Sequence, residues 1–532
     1  MGTGTESARL TLPWQQAALL VGITLAVFSP TLSAGFVYDA RLQMLTDPFL
    51  HDPRNWWPVL TFGTLSMDVL DFNRPVNLAS LMLDAAMWGK EPFGYHLTSV
   101  LLHAVNVVLV WKVLGSSGVP PGLRADEVDS LHRDRVASLL GPLLFAVHPV
   151  VTEAVCEPSF REDLLVAFFT LAGLLLAMGH QPDPRRSDCW RAAACVACSL
   201  LAIGSKESGV AAPVVIGIYW LVFRRGEQGW FWPVVIGGAK LAVVAFLAAR
   251  FLLEPTPSKI FESRPQYPGG SLAAAMLIEP RILALYVQLV AIPVNLCADY
   301  GLHSVLHLPL PVALAVVAAV IMAAALAIRA DRRMALATGL VMVPLLPVAN
   351  LVPIYRAAAD RYLYLPMAGV GLAAGLVLTA PWLVGRDRWR VRLLAATAAV
   401  VVLLAAACTE RQKVWASPIA LWADTFQKNP MAFTAASGLA DALRQSGRLA
   451  EAEEAARRAI ALTDGTRGDA WATLALILDD QRRSDEAFAA LDKALELDPK
   501  LADPAARVAV MAMEQPYADD LTALQARRKA RR

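Results

Sequence analysis

Up to about residue 410 the apolar residues of this chain come in long runs, and beyond it in short, spaced groups. A membrane span needs about 20 predominantly apolar residues. Runs of that kind lie at 14–34, 94–114, 136–155, 163–179, 190–204, 208–223, 231–251, 307–328, 334–353, 362–384 and 392–408, which predicts eleven crossings in an all-α, polytopic bundle. A further apolar stretch, 276–296, contains Glu279, Arg281 and prolines toward both ends. It reads as a re-entrant or interfacial segment, which is tolerated where protein covers the backbone.

The tail is charged and alanine-rich, and it repeats. Trp471, Leu474, Ala475, Leu478, Ala487, Leu491, Ala494 and Pro499 fit one tetratricopeptide (TPR) unit. Leu439, Ala440, Leu443, Ala452 and Ala459 take matching places one unit earlier. A period of about 34 residues is the helix-turn-helix unit, with small residues where the two helices cross. The predicted division is a membrane domain over 1–409 and a TPR domain over 410–532, with repeats at 433–466 and 468–501 and then a cap.

Composition agrees with the pattern. Of 532 residues, 56% are hydrophobic and 18% charged, whereas a soluble domain carries about 25% charged residues. The net charge of +2 argues against a nucleic-acid partner. Cys195 and Cys198 form a C-x-x-C inside an apolar segment with no second ligand pair nearby, so packing is expected rather than zinc or redox chemistry. TLSA, after the first run, has the look of a leader cleavage site, but the many spans that follow favour a retained first span. The basic connections follow spans two, four, six, eight and ten. Lysine and arginine mark the cytoplasmic side. The N-terminus is therefore expected in the cytoplasm of an inner-membrane protein, with 35–93, 253–306 and the TPR domain in the periplasm.

That orientation sorts the remaining charges. Asp39, Asp47, Asp52, Arg74, His96, His148, Glu153, Arg161, Glu162, Asp163, Lys206, Glu207, Asp299, Tyr300, Arg356, Asp360 and Arg361 all fall at the outer ends of spans or in outer loops. Ionisable residues in a membrane domain are expensive and mark function. A transporter places them near the midplane, so their position at span ends favours chemistry on a lipid-linked anionic headgroup. Glu153, Arg161 and Asp163 flank one short turn, and an ion-pair or hydrogen-bond network among them is expected. Trp56, Trp57, Trp88 and Tyr95 suit an interfacial belt.

FVYDA, NRPVN, LDAAMWGKEPFGYHL, LLHAVN, LLFAVHPVVTEAV, REDLL, SKES, CADY and DRYLYLP, in that order, resemble the transmembrane-and-TPR O-mannosyltransferase (TMTC) family and its bacterial relatives, C-type (GT-C) glycosyltransferases. The resemblance covers nearly the whole chain. It implies transfer of a sugar, typically mannose, from a polyprenyl-phosphate carrier to a hydroxyl, often a protein serine or threonine, with the TPR part meeting the acceptor. It places Asp39 on the first acid of the family's acidic motif, where relatives often have a second acid and this chain has Ala40. Phe160 replaces a family glycine, and Asp360 another acidic residue.

The expected mechanism is an inverting single displacement with Asp39 as base. Arg361, Lys206 and Arg356 are expected at the donor phosphate. Arg74, His96, His148, Glu153, Arg161, Asp163, Glu207, Asp299 and Tyr362 are expected in support. No metal site is expected, although a divalent ion is compatible with the family, and the lipid-linked sugar is the only other small molecule implied. The partners are the membrane lipid donor, a protein or glycan acceptor, and a protein or peptide on the TPR. The alternative is a catalytically degenerate membrane scaffold whose tail recruits partners, with Ala40 as its argument.

Overall fold

The computed structural model describes residues 14–67, 69–116, 135–180, 187–253, 266–380, 383, 386–503 and 515–531. Much of the basic connections, 117–134 and 181–186, and residues 504–514 before the cap lie outside the described residues. The described chain is helical, with no strand among the described residues. The membrane part contains α1 (Trp14–Phe28), α2 (Pro75–Trp88), α3 (Pro92–Ser116), α4 (Arg135–Val147), α5 (Arg161–Met178), α6 (Ser187–Ser205), α7 (Ala211–Tyr219), α8 (Phe231–Leu253), α9 (Leu272–Ala291), α10 (Leu310–Ala330), α11 (Met334–Met342), α12 (Tyr364–Leu378) and α13 (Asp387–Gln412).

Among the described residues, nine helices are long and apolar enough to cross a membrane, or ten if the bent pair Val136–Val147 and Pro149–Cys156 counts as one. Two of the eleven expected crossings fall outside this set, and one segment outside the eleven falls within it. Arg161, Glu162 and Asp163 open α5 with a charged turn. The stretch from Met334 to Val348 is short. And α9, expected to be interfacial, is 20 residues long and apolar. Its surroundings supply several polar contacts. Tyr267, just before it, donates to Leu351 O at 3.3 Å, and Arg281 Nε to Leu308 O at 2.9 Å. Asn350 donates to Glu279 at 2.9 Å, and His148 Nε2 lies 3.1 Å from Val290 O.

The core gathers around Trp111, Phe145 and Tyr364. A methyl added at Gly141 of α4 would come within 2.4 Å of Gly371 O in α12, so glycine lets the two backbones touch. His103 of α3 ties the same region together, with Nδ1 2.7 Å from Tyr364 Oη and Nε2 3.0 Å from Ala146 O. Cys195 is buried and packs in this core, and the cysteines are free thiols.

The tail begins with α14 (Pro418–Lys428), a helix that the repeat pattern did not foresee. The helix pairs α15 (Phe433–Gln445) with α16 (Leu449–Leu462), and α17 (Gly468–Asp480) with α18 (Ser484–Leu497), follow, and then α19 (Gln515–Arg531). Ala440, Ala452, Leu474, Ala475, Leu478, Ala487, Leu491 and Ala494 form their shared core.

Candidate active site

The chain leaves α1 through a short 3₁₀ turn and reaches Tyr38 with φ +49°. A non-glycine residue in the left-handed region is uncommon, and such backbone strain gathers at functional sites. Tyr38 opens a brief helix, Tyr38–Ala40, that presents Asp39 in its first turn. Asp39 is exposed, yet it stands deep enough in the protein body that loss of water is the largest influence on its carboxyl. That loss raises it above the ordinary 3.8, against the opposing pull of Arg361 and then Arg356. Among the described residues its carboxylate takes no hydrogen bond or ion pair.

Arg361 follows Asp360 in the 3₁₀ turn Asp360–Leu363 that leads into α12. Its Nη1 pairs with Glu153, whose other oxygen accepts from the Arg361 backbone N–H at 2.9 Å. The guanidinium lies 4.0 Å over the Phe160 ring and 5.2 Å from the Tyr362 ring. Arg361 also lines a narrow cleft whose walls include Asp163, Val166, Pro344, Val348, Tyr362 and Leu365. Arg356 donates to Tyr38 Oη at 2.8 Å and pairs with Asp299 at 2.6 Å. Burial works against its charge, but Tyr38 and Asp299 outweigh it and hold the guanidinium above its ordinary range. Tyr362 donates to Arg356 O at 3.1 Å.

Lys206 was expected at the phosphate, but it is already committed. Its ammonium sits 2.6 Å from Asp163 and 3.0 Å from Glu162. It does not line the cleft; its partner Asp163 does. Arg74 closes the same network, at 2.6 Å from Glu162, 3.0 Å from Asp71 and 3.3 Å from Glu207.

The expected network among Glu153, Arg161 and Asp163 does not form. Arg161 pairs with Asp84 at 2.5 Å, both fully buried, and donates to Tyr95 O at 2.8 Å. Asp163 takes Lys206, and Glu153 takes Arg361. Helix geometry is the reason: residues 161 and 163, two apart on α5, face different sides. His148 contacts Val290 O and accepts from Val150 N at 3.3 Å, which caps a turn. His96 is buried on α3 against the Phe36 ring and does not line the cleft. Of the other early acids, Asp47 accepts from Phe49 N at 2.9 Å and Asp52 pairs with Arg54 at 2.6 Å.

Three acids escaped sequence reasoning, Asp71 of the Arg74 network among them. Asp84 sits in the apolar run LMLDAAMW, and a lone carboxylate there was the signal that could have found it. Glu157 is fully buried, accepts from Ala40 N at 2.8 Å and from Ser159 Oγ at 2.6 Å, and has its second oxygen unpartnered. Burial raises its carboxyl well above the ordinary value, and Asp39 adds to the rise. Its place beside Asp39 depends on a contact between residues 117 positions apart, which no local pattern announces.

Fold and cleft together define a multi-span helical membrane protein with a charged cleft at one face and a TPR tail docked beside it. A tetratricopeptide-repeat family model matches residues 468–501. The chain is 24% identical over 378 residues to protein O-mannosyl-transferase F38B6.6 of Caenorhabditis elegans, which covers 68% of this chain and 50% of that protein. It is 28% identical over 222 residues to protein O-mannosyl-transferase TMTC3 of Homo sapiens, covering 40% of this chain and 22% of that protein. Tmtc3 of Drosophila melanogaster is 31% identical over 160 residues, 28% of this chain and 17% of that protein. The chain thus spans half the length of the nematode protein and less of the others. Among solved structures, ArnT from Cupriavidus metallidurans bound to undecaprenyl phosphate overlays with a TM-score of 0.42 and 14% identity, over 96% of this chain and 88% of that one. The resemblance to the TMTC O-mannosyltransferases carried by the motifs is borne out by these relatives.

Proposed function

We propose that this chain is an integral membrane glycosyltransferase that moves a sugar, mannose, from a polyprenyl-phosphate carrier to a hydroxyl acceptor such as a protein serine or threonine. The similarity to protein O-mannosyl-transferases supports the reaction class. The observation that carries the mechanism is the open carboxylate of Asp39, near Arg361 and Arg356, where Glu153, Asp163 and Asp299 are each in an ion pair. An alcohol becomes a useful nucleophile as its proton leaves, and Asp39 is placed to accept it. A polyprenyl phosphate departs as an anion and needs positive charge at its oxygens. Arg361 serves there, since a guanidinium can hold phosphate oxygens bidentately. Arg356 adds charge nearby, and Lys206 acts through Asp163 on the cleft wall. With that charge in place the step as proposed draws on no metal ion. One displacement inverts the anomeric carbon. The lysines and arginines of the alternate connections support a cytoplasmic N-terminus, with the cleft and tail on the periplasmic side of the inner membrane.

The test is Asp39→Asn in the full chain, reconstituted in lipid and supplied with a polyprenyl-phosphate mannose. General-base assistance contributes about 10² to 10⁴ in rate. Transfer should fall by about that factor while donor binding and thermal stability hold. Near-normal turnover in this variant overturns the assignment and leaves the scaffold reading ahead. The pH–rate profile should lose activity as Asp39 is protonated, with an acid limb above the ordinary 3.8.

A further inference from the structure

The tail touches the membrane part at the residue that presents Asp39. Trp422 of α14 stacks on the Tyr38 ring at 5.3 Å with an interplanar angle of 27°. Behind it the indole lies on bare backbone, because a Cβ added at Gly438 of α15 would come within 2.6 Å of Trp422 Cε2 and Nε1. Trp422 is thereby clamped between the first repeat on one side and Tyr38 on the other. Phe160, 5.6 Å from Tyr38, and Trp415, 6.5 Å from it, complete the aromatic seat.

The contacts then return to the tail. Tyr38 Oη accepts from Arg356, and Arg356 pairs with Asp299. Thr434 Oγ1, at the start of α15, donates to the same Asp299 oxygen. Asn429 donates to Asp299 O at 3.0 Å, and Lys428 to Leu296 O at 2.8 Å. The path Gly438–Trp422–Tyr38–Arg356–Asp299–Thr434 is a closed ring that begins and ends on the first repeat. Its middle holds a tyrosine in the left-handed region, with Asp39 the next residue. A strained conformation persists only where its surroundings over-determine it, and here Trp422 and Arg356 are the surroundings.

We propose that the tail is a working part of the transfer site, and that Trp422 is a positioning residue. It holds Tyr38, and through Tyr38 it sets the aim of the Asp39 carboxylate and the place of Arg356. This goes beyond an acceptor-recruiting tail: α14 and the first repeat shape the chemistry whether or not an acceptor is bound. The inference rests on the assignment of Asp39 as base.

The experiment uses the full chain in lipid nanodiscs with Trp422→Ala, Trp422→Phe and Gly438→Ala. Two readouts are taken together. One is turnover of a polyprenyl-phosphate mannose at varied donor concentration. The other is hydrogen exchange over residues 36–46, with 468–501 as the internal control. A misplacement of ~1 Å at a reacting group costs about 10²-fold. Trp422→Ala should lower kcat by about ten- to a hundredfold and leave the donor KM within about twofold, the pattern of lost transition-state alignment. Exchange at 36–46 should quicken by about tenfold while 468–501 stays protected. Trp422→Phe keeps a ring on Tyr38 and should recover most of both. Gly438→Ala displaces the indole without deleting it and should fall between.

Exchange at 36–46 that is unchanged in both Trp422→Ala and Gly438→Ala overturns the proposal, because Tyr38 is then not held by the tail. So does quickened exchange with normal kcat. If Trp422→Ala also loses protection over 468–501, Gly438→Ala decides by the same criteria. The base assignment fails separately: the unsubstituted chain and Asp39→Asn then turn over alike, and the proposal falls with it as a statement about transfer, whatever the exchange shows about Tyr38.

Discussion

Two groups of charge share one face of the bundle and are built differently. Around Arg74 and Lys206, the acids Asp71, Glu162, Asp163 and Glu207 are each within an ion pair, and nearby Arg161 is closed onto Asp84. Around Tyr38 and Arg361, the pairing stops short. Among the described residues the Asp39 carboxylate takes no hydrogen bond or ion pair, and Arg361 lines the cleft. In the first group the charges answer one another and hold helices together. In the second, on the function proposed above, a carboxylate and a guanidinium are left for substrate. Charge alone therefore does not distinguish the two groups; how it is paired does.

The sharpest way to break that contrast is to open the closed group. Arg161→Ala leaves Asp84 buried without its cation, and breaking a buried pair from one side costs about 3–5 kcal/mol. We expect a large loss of folded yield and of thermal stability in detergent. A normal melt with turnover abolished would move Arg161 to the reacting side. Lys206→Gln should follow Arg161→Ala in kind, costing stability first, because Glu162 and Asp163 lose their ammonium. If instead it melts normally and weakens only donor binding, Lys206 belongs with the open group after all.

Arg361→Lys probes the open group more gently. A lysine can still answer Glu153 but presents no second N–H edge to the cleft. Hydrogen bonds to charged groups contribute about 1.5–3 kcal/mol, so donor affinity should weaken by about ten- to a hundredfold with the melting temperature little changed. Affinity held within about twofold would remove Arg361 from the phosphate.

The smallest effect concerns Glu157. Its folded carboxyl is raised above the ordinary 4.5 by burial and by Asp39. A raised carboxyl binds its proton more tightly in the folded state, so its contribution is complete below pH 4.5 and declines as pH rises toward the folded value. Glu157→Gln keeps an oxygen for Ala40 N and removes that titration. The variant and the unsubstituted chain should melt alike near pH 4.5, and the variant should be relatively more stable as pH rises to 8. Parallel melting curves across that range would show that Glu157 does not titrate there.

Much was legible from order along the chain. A long apolar run is a helix in lipid wherever its neighbours go, because the backbone must satisfy itself within the segment. The second TPR unit, 468–501, was readable for a similar reason: its small residues recur at the spacing at which its own two helices cross. The place of Asp39, just past the first span, followed from the end of an apolar run. The partners did not follow. Sequence neighbours on a helix point apart, so Glu153, Arg161 and Asp163 each found a mate on another element.

The sequence by itself determined a helical membrane protein with a repeat tail, and the face on which its charges gather. Those are properties of periodicity and of transfer from water, which act on each segment separately. Only the tertiary structure decided which charge is spent and which is left open. Asp84, Glu157 and Trp422 reach Arg161, Ala40 and Tyr38 across 77, 117 and 384 positions of chain, because 161 − 84 = 77, 157 − 40 = 117 and 422 − 38 = 384. Contacts of that range are settled by how the packed helices bring their ends together, and no segment alone carries that information.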